Sequence, residues 1–374
     1  MLRYLTGGES HGTDMITIVD GLPAGLYIDK SVIDLDLARR MFGYGRGKRM
    51  AIELDRVNIL SGLRNNRTIG SPVSLLVKNA DQSITKQPKV LAPRPGHADL
   101  SGALKYNLSD IRDVLERASA RETVSRVAAG ALCKILLAEF GIVVTSHVIA
   151  IGAVVSKARG LTFDKIIASS AKSPVRCANK NASIDMCREI DKAMKAGDTL
   201  GGLFEVLIHG VPPGLGSYAQ WDRKMDANLS KAVMSIQAIK AVSFGIGFES
   251  AVLKGSLVHD EIFYGKKIGF YRKTNNAGGI EGGMTTGEDI IIKAAMKPIA
   301  TLRKPLSSVD IRTKRPVKAA VERSDVCAVP AAAVIGEAVS SIEIANALIE
   351  KLGGDSISEM RRNYEGYLAQ VRRF

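Results

Sequence analysis

The longest run of helical periodicity lies between Arg94 and Gly141, behind a Pro-Gly loop that presents His97 and Asp99. Apolar residues recur at Ile111, Val114, Leu115 and Ala118, then at Val127, Ala128, Ala131, Leu132, Ile135 and Leu136. That is a 3.6-residue repeat with a broad buried face. Ser109 or Asp110 can cap its start, and Gly141 can end it. Midway stands Glu116-Arg117-Ala118-Ser119-Ala120-Arg121-Glu122, where Arg117 and Arg121 share a face because they are four apart. Two arginines, two glutamates and a serine on a helix meant for the core have two explanations. One is an internal salt-bridge ladder, the other an anionic ligand lying against the helix.

Elsewhere, apolar patterning predicts strands at Met15–Val19, Ala51–Leu60, Pro72–Asn79, Ile142–Ile151 and Ile290–Met296. Phe204, Val206 and Ile208 alternate as another strand. Helical spacing predicts Lys30–Met41, Met225–Ile236, Val334–Leu348 and a half-exposed Met360–Phe374. Between Ile151 and about Lys195 the chain reads as a polar segment. The pattern also repeats. Gly21-Leu22-Pro23-Ala24-Gly25-Leu26 matches Gly210-Val211-Pro212-Pro213-Gly214-Leu215, each after an apolar strand and before a helix. Phe42-Gly43-Tyr44-Gly45 matches Phe244-Gly245-Ile246-Gly247, each expected to end a helix. No Pro/Ser-rich linker intervenes, so the expectation is one domain over 1–374, built of two related halves, roughly 1–195 and 196–374.

Composition narrows the function classes. The chain has 374 residues, 46% hydrophobic, enough for a substantial core. A net charge of +14 points to anionic partners. Aromatics are only 5%, a poor supply of stacking platforms, and no nucleic-acid-binding motif accompanies the charge. The arginines cluster beside glycines instead, which suits phosphate or carboxylate pockets. Cys133, Cys177, Cys187 and Cys327 form no CxxC pair and fit no zinc spacing, so buried free thiols in a reducing compartment are expected. No histidine has metal-ligand spacing, and His147, His209 and His259, in or beside apolar strands, are assigned to structure. No signal-peptide pattern opens the chain and no apolar run approaches the roughly 20 residues of a membrane span. The expectation is a soluble, cytoplasmic protein that binds neither membrane nor metal.

The candidate chemistry lies in loops. His11 sits in Gly7-Gly8-Glu9-Ser10-His11-Gly12. Five basic groups interleave with three glycines over Arg39–Arg49, a pattern that is no P-loop yet exposes backbone N–H groups beside cations. His97 follows Pro95-Gly96, a Gly-rich loop spans Asn275–Met284, and Asp325 stands near Arg323. Histidines suit proton transfer and arginines hold phosphate or carboxylate. Together they suggest an enzyme that moves protons on a polyanionic small molecule.

Taken in order, several motifs resemble the chorismate synthase family. They are Gly8-Glu9-Ser10-His11-Gly12 with Asp20-Gly21-Leu22-Pro23, Gly43-Tyr44-Gly45-Arg46-Gly47, and Arg94-Pro95-Gly96-His97-Ala98-Asp99. Glu116 to Thr123, Asn276 to Gly283, and Arg323-Ser324-Asp325-Val326 complete the set, which covers essentially the whole chain. The resemblance implies an α+β fold, a β-α-β sandwich with an internal pseudo-two-fold repeat and helices between antiparallel sheets, assembled as a homotetramer. It implies a carbon–oxygen lyase that converts 5-enolpyruvylshikimate 3-phosphate into chorismate and phosphate by 1,4-anti elimination. Such a lyase works in aromatic amino acid biosynthesis and needs reduced FMN without net redox change. It implies His11 as proton donor to the leaving phosphate, His97 facing the flavin, and Asp325 assisting proton removal. Ser10, Arg40, Arg46, Arg49, Ser119 and Arg121 would bind the substrate. Arg117, Ala118, Ser119, Gln237, Ala238, Gly282, Lys297, Pro298, Ile299, Ala300, Thr301 and Arg323 would line the FMN site. Larger members carry an NADPH-driven flavin reductase activity. No segment for it is read here, so an external flavin reductase or reductant is expected.

Two departures bear on the lid of the site. Met41-Phe42 replaces the family's usual Gln-Gly, and the stretch from Asn79 to Pro93 is short and lacks tryptophan. Two other classes make different predictions. A nucleic-acid-binding protein would show salt-sensitive binding and no flavin requirement. An FMN oxidoreductase would consume a nicotinamide cofactor in proportion to product.

Overall fold

The computed structural model describes residues 2–46, 55–156, 160–266, 268–322 and 324–374. Strands β1 (Arg3–Gly7) and β2 (Asp14–Asp20) lead into helix α1 (Lys30–Met41). Strand β3 (Val57–Ile59), the hairpin β4 (Leu63–Arg64) and β5 (Arg67–Thr68), and β6 (Val73–Lys78) follow. Then come helices α2 (Asp99–Tyr106), α3 (Arg112–Ala118) and α4 (Thr123–Ala138). The chain continues with β7 (Val143–Ile151), β8 (Val154–Val155), α5 (Phe163–Lys172), α6 (Lys180–Ala196) and β9 (Gly202–His209). Next are α7 (Met225–Met234), β10 (Ile239–Phe244), α8 (Gly255–Val258), and the ribbon β11 (Ile262–Gly265) and β12 (Gly269–Arg272). The hairpin β13 (Ile280–Glu281) and β14 (Met284–Thr285), β15 (Ile290–Met296), β16 (Ser307–Val309) and β17 (Pro316–Lys318) precede helices α9 (Val329–Leu352) and α10 (Ile357–Arg373).

These elements make an α+β architecture. One antiparallel sheet has the order β1-β2-β6-β3, and a second has the order β10-β15-β9-β7-β8. In β2 the alternation sends Met15, Thr17 and Val19 inward, and Thr17 Oγ1 donates to the Ser125 carbonyl of α4 at 3.4 Å. Helix α9 packs on β7 and β9 of the second sheet, and α4 packs on α9. That helix crossing is close. A Cβ on Gly130 would lie 2.5 Å from both Cα and Cβ of Ala338, and one on Gly336 would lie 2.9 Å from Phe204 and Val206.

The two repeated loops make the same bonds. Gly25 N donates to Thr68 O and Gly214 N to Thr285 O, both at 2.8 Å. Leu26 N donates to Thr68 Oγ1 and Leu215 N to Thr285 Oγ1, both at 2.9 Å. Thr68 Oγ1 in turn donates to Pro23 O at 2.6 Å, and Thr285 Oγ1 to Pro212 O at 2.7 Å. Gly25 and Gly214 stand at φ +86° and +85°, a region an L side chain resists. The second pair of matches differs from expectation. Phe42 follows helix α1, but Phe244 ends strand β10.

Three other expectations change. The long helical period resolves into α2, α3 and α4. Asn107 in the left-handed region (φ 54°) ends α2, and Ser119 at φ −59°, ψ 142° interrupts the run between α3 and α4. The polar stretch before Lys195 holds α5 and α6, the latter burying Ser183, Met186, Ile190 and Ala193, one residue per turn. Helix α9 runs longer than read, and by length and composition it could cross a membrane; 78% of its most apolar window is buried in the fold. Of the strand expected at Ala51–Leu60, positions 51–54 fall outside the described residues. Cys133, Cys177 and Cys327 are buried free thiols, as read, but Cys187 is only partly buried.

Candidate active site

Helix α1 starts on an Asp29 cap, whose side chain accepts from Ser31 N at 2.9 Å. Its buried stripe is Ile33, Asp36, Leu37 and Arg40. The period that seats Ile33 and Leu37 in the core therefore carries Arg40 inward too, where a charge needs a partner. Asp55 supplies it. One carboxylate oxygen accepts from Arg40 Nη2 at 2.8 Å and the other from Arg121 Nη1 at 2.7 Å. Arg121 leaves the chain in the short turn Ala120–Glu122, made possible by the interruption at Ser119, and its Nε donates to Asn79 Oδ1 at 2.8 Å. Arg46 pairs with Asp325 at 3.0 Å.

The arginines crowd one another. Burial pushes the Arg40 guanidinium below its ordinary pKa; Asp55 opposes that, and the charges of Arg121 and Arg46 add to it. Arg40 Nε and Arg46 Nε are buried donors without a hydrogen-bond partner among the described residues. Such donors mark a site that an anion or ordered water completes.

His11 lies beside this cluster, in the turn after β1. Gly8 makes the turn possible: its φ is +106°, and a Cβ there would come 2.3 Å from the Asp14 carbonyl oxygen. His11 Nδ1 lies 2.8 Å from Glu116 Oε1, and His11 N donates to Glu116 Oε2 at 2.8 Å. Burial alone would raise the Glu116 pKa, but the bonds from His11 win and hold it low. Ser10 N donates to Glu116 O at 2.9 Å, and Ser119 Oγ donates to Ser10 Oγ at 3.2 Å. Ser10, His11, Arg40, Ser119 and Arg121 thus form one bonded group.

His97 is held by a second buried acid. Its Nδ1 makes a short contact with Asp99, which opens α2. Arg94 grips the same carboxylate through Nε at 2.9 Å and Nη2 at 3.0 Å, and its Nη1 donates to Thr301 Oγ1 at 2.7 Å. Burial again works to raise the acid's pKa, and the bonds from His97 and Arg94 hold it well below the carboxylate range. Ser324 Oγ donates to the Thr301 carbonyl at 2.9 Å, which ties the His97 loop to the segment before α9 that carries Asp325.

Most of the expected cofactor residues are linked in turn. Arg117 Nη2 donates to Thr6 Oγ1 at 2.9 Å, and Thr6 Oγ1 donates to Glu122 at 3.1 Å. Gln237 Nε2 reaches Glu122 at 3.4 Å, and its Oε1 is buried without a partner among the described residues. Ala238, in the left-handed region at φ 68°, accepts from Lys297 N at 2.9 Å, and Lys297 Nζ bonds the Gly96 carbonyl beside His97. Pro298, Ile299 and Ala300 continue this segment to Thr301. A Cβ on Gly96 would meet Lys297 Nζ and Ala300, and Ile299 O accepts from Thr199 Oγ1 at 2.8 Å. Ala118 ends α3. Gly282 stands apart. Its neighbour Gly283 accepts from Met225 N at the start of α7, whereas Gln237 follows the other end of that ten-residue helix, about 15 Å away. Arg49 and Arg323 lie outside the described residues.

Sequence reasoning did not single out Asp55, Asn79, Glu122 or Arg94 as site residues. Of these Glu122 carried a signal as a charge in the middle of an apolar helical pattern, and Arg94 as the first residue of the motif that presents His97. Among the described residues, no group of three or more His, Cys, Asp or Glu side chains could hold a metal. His147 bonds Glu205 and His209 bonds Asp289, away from this cluster.

Comparison with known proteins gives one answer. A family model described as chorismate synthase matches residues 2–349. The chorismate synthase of Geobacter metallireducens is 55% identical over 393 residues, covering 100% of both chains. That of Desulforudis audaxviator is 54% identical, covering 100% of this chain and 98% of its own. A crystal structure titled as chorismate synthase superposes with a TM-score of 0.83 at 40% identity, over 100% of this chain and 99% of that one.

Proposed function

The chain belongs to the chorismate synthase family, and from that premise we propose that it converts 5-enolpyruvylshikimate 3-phosphate into chorismate and phosphate. The reaction is a 1,4-anti elimination, the last step of the shikimate pathway. It makes the chain a carbon–oxygen lyase acting on a phosphate ester. The observation that carries the reading is the bonded group of His11, Ser10, Ser119, Arg40 and Arg121 around the buried carboxylates Asp55 and Glu116.

The substrate bears a phosphate and two carboxylates, and Arg40, Arg46 and Arg121 neutralise such groups best in a dry cleft. Arg49 belongs to the same substrate-binding set. As the C–O bond breaks, charge accumulates on the departing phosphate. His11, backed by Glu116, hydrogen-bonds and protonates that group, while the arginines stabilise the charge without reorganising. Asp325, paired with Arg46 at 3.0 Å, is a carboxylate suited to drawing off the proton lost from carbon.

Reduced FMN bound here would supply electron density transiently, with no net oxidation. Arg117, Ala118, Ser119, Gln237, Ala238, the segment Lys297 to Thr301, Arg323 and, from a more distant hairpin, Gly282 would hold it. The unpartnered Oε1 of Gln237 supports this, being an acceptor suited to a ring N–H. His97 holds a proton at the edge of the same pocket.

The matched bonds of the two Pro-Gly loops support reading the chain as one domain of two pseudo-repeated halves, with helices sandwiched between the sheets. Leu5, Ile16 and Ile18, apolar residues exposed on the outer face of the first sheet, support an assembled state, read as a homotetramer. The reading includes a cytoplasmic location and an external source of reducing equivalents.

The test is anaerobic. Protein, 5-enolpyruvylshikimate 3-phosphate and dithionite-reduced FMN are mixed, and chorismate and phosphate are followed together. Equal release of both, with the flavin still reduced at the end, is the expected result. No product from folded protein refutes the reading, and flavin oxidised in step with product favours an oxidoreductase instead.

A further inference from the structure

The two loop histidines share a construction. His11 and His97 each direct Nδ1 at a buried carboxylate, Glu116 in one case and Asp99 in the other. Each carboxylate also fixes the backbone of its histidine's loop. Glu116 accepts from His11 N at 2.8 Å, and Asp99 accepts from Arg94 N at 2.9 Å. The side chains of Glu116 and Asp99 are 4% and 0% exposed, so neither is free to turn to water.

An ionised carboxylate can only accept hydrogen bonds. Both acids are held ionised: burial disfavours the charge, but the donors around each carboxylate outweigh it. The proton in each pair therefore belongs on Nδ1. Arg94 Nη2 also lies 3.0 Å from His97 Nδ1. Because a guanidinium only donates, that approach is of two donors converging on Asp99 and not a bond between them. With Nδ1–H committed, an uncharged ring offers a bare Nε2, and only the imidazolium can donate from Nε2. His11 Nε2 lies 4.0 Å from Asp81 Oδ2, at ion-pair distance for an imidazolium but beyond hydrogen-bond reach.

We propose that Glu116 and Asp99 are positioning residues that fix both histidines in the Nδ1-protonated form, leaving Nε2 as the atom through which each ring exchanges a proton with its ligand. The inference deepens the proposed function and rests on it for the ligand. It predicts that each ring gives up a proton from Nε2 only as an imidazolium, the bond to the carboxylate remaining intact throughout. His147 provides a built-in contrast, because it bonds Glu205 through Nε2, at 2.8 Å.

The experiment reads the tautomers directly, without substrate or flavin. The full chain is labelled with 15N-histidine, and ring nitrogens are assigned with His11→Asn and His97→Asn. In their uncharged form, His11 and His97 should show protonated Nδ1 and bare Nε2, and His147 the reverse. Glu116→Gln and Asp99→Asn should reverse the first two. In each variant the amide oxygen is claimed by the loop or arginine donors, so the amide N–H faces the ring and Nδ1 must accept. In the elimination assay each variant should lose about 100-fold or more in kcat, as when a histidine is left in the wrong tautomer, with KM for the phosphorylated substrate nearly unchanged. Nε2–H forms of His11 and His97 in the wild type overturn the proposal, and so does full kcat in both variants. Correct tautomers in a protein that forms no chorismate would leave the proposal standing and sink the assigned reaction.

Discussion

Glu337→Gln should be the most destabilising conservative change in this fold. Glu337 is fully buried in α9 and accepts five hydrogen bonds, from α1, α4, β7 and the loop before α6. Arg39 grips it with Nη1 at 2.8 Å and Nη2 at 2.7 Å. Lys134 Nζ lies at 2.6 Å, Ser146 Oγ at 2.6 Å and Arg176 Nη2 at 3.1 Å. Asp36 shares Arg39 at 2.6 Å and Lys134 at 2.7 Å but does not reach Arg176. Three cations thus rest on two acids, and removing one acid strands Arg176. Burial would raise the Glu337 pKa, and the attraction of Lys134, Arg39 and Arg176 holds it well below the ordinary value instead. Breaking a buried pair from one side costs about 3–5 kcal/mol. Taking about 2.1 cal/mol/K per residue over 374 residues as the melting entropy, that loss lowers Tm by about 4–6 °C at neutral pH. The sign with pH follows from the depressed folded value. The stabilisation is complete above the unfolded carboxylate pKa of about 4.3 and fades as pH falls through the folded one, so wild type and variant converge in acid. Differential scanning calorimetry at pH 7 and below pH 4 measures both. A Tm shift under about 1 °C at pH 7 refutes the argument. Arg176→Met in the Glu337→Gln background should recover part of the loss, since it removes the stranded charge.

Gly130→Ala should destabilise despite gaining about 1 kcal/mol of helix propensity. Its Cβ would meet the backbone of Ala338 at 2.5 Å, and overpacking of that kind costs about 1–3 kcal/mol; urea unfolding that moves to higher concentration contradicts this. Thr68→Val and Thr285→Val should each cost about 1–3 kcal/mol by leaving a leucine N–H and a proline carbonyl unpaired, and clearly unequal costs would speak against the equivalence of the two loops. Burial pushes the Cys327 thiol up to about 12, so at pH 8 only about one part in ten thousand is thiolate. A thiol reagent should therefore reach Cys187 alone in the folded protein, and mass spectrometry finding label on Cys327 before unfolding disproves it.

Elements whose signal is local were legible. Helix α1 and strand β15 have the ends that periodicity assigned, because a cap and an apolar run are properties of neighbouring residues. The Pro-Gly repeat was legible for the same reason. Interruptions were not. Ser119 breaks an apolar period that continues on both sides of it, and beside its local cap on Arg121 N the break is held by a bond to Ser10, 109 residues away, that no window of the sequence contains. Helix α6 was overlooked because a half-exposed helix buries one residue per turn, and its Met186, Ile190 and Ala193 are sparse among lysines and acids.

The site divides the same way, by charge. Its histidines and arginines announce themselves through glycine-rich loops and motif order, and Asp99 stands two residues from His97 in the same motif, whereas two of the other acids that govern them come from far along the chain. Glu116 is 105 residues from His11, and Asp55 is 66 from Arg121. Their presence in an anion-binding cleft is required by electrostatics. A guanidinium in a dry site must have a counter-charge before its ligand arrives, or the folded state bears the full cost of burying it. A carboxylate for every arginine would cancel the attraction. Asp55 resolves this by serving Arg40 and Arg121 together, so the pair keeps one net positive charge and yet neither ion is stranded. Glu116 and Asp99 spend their charge on histidines instead. The acids thus set how much positive charge a ligand meets and which ring atoms face it, a division of labour no motif encodes, since it exists only once α1, α3 and the loops around them have packed.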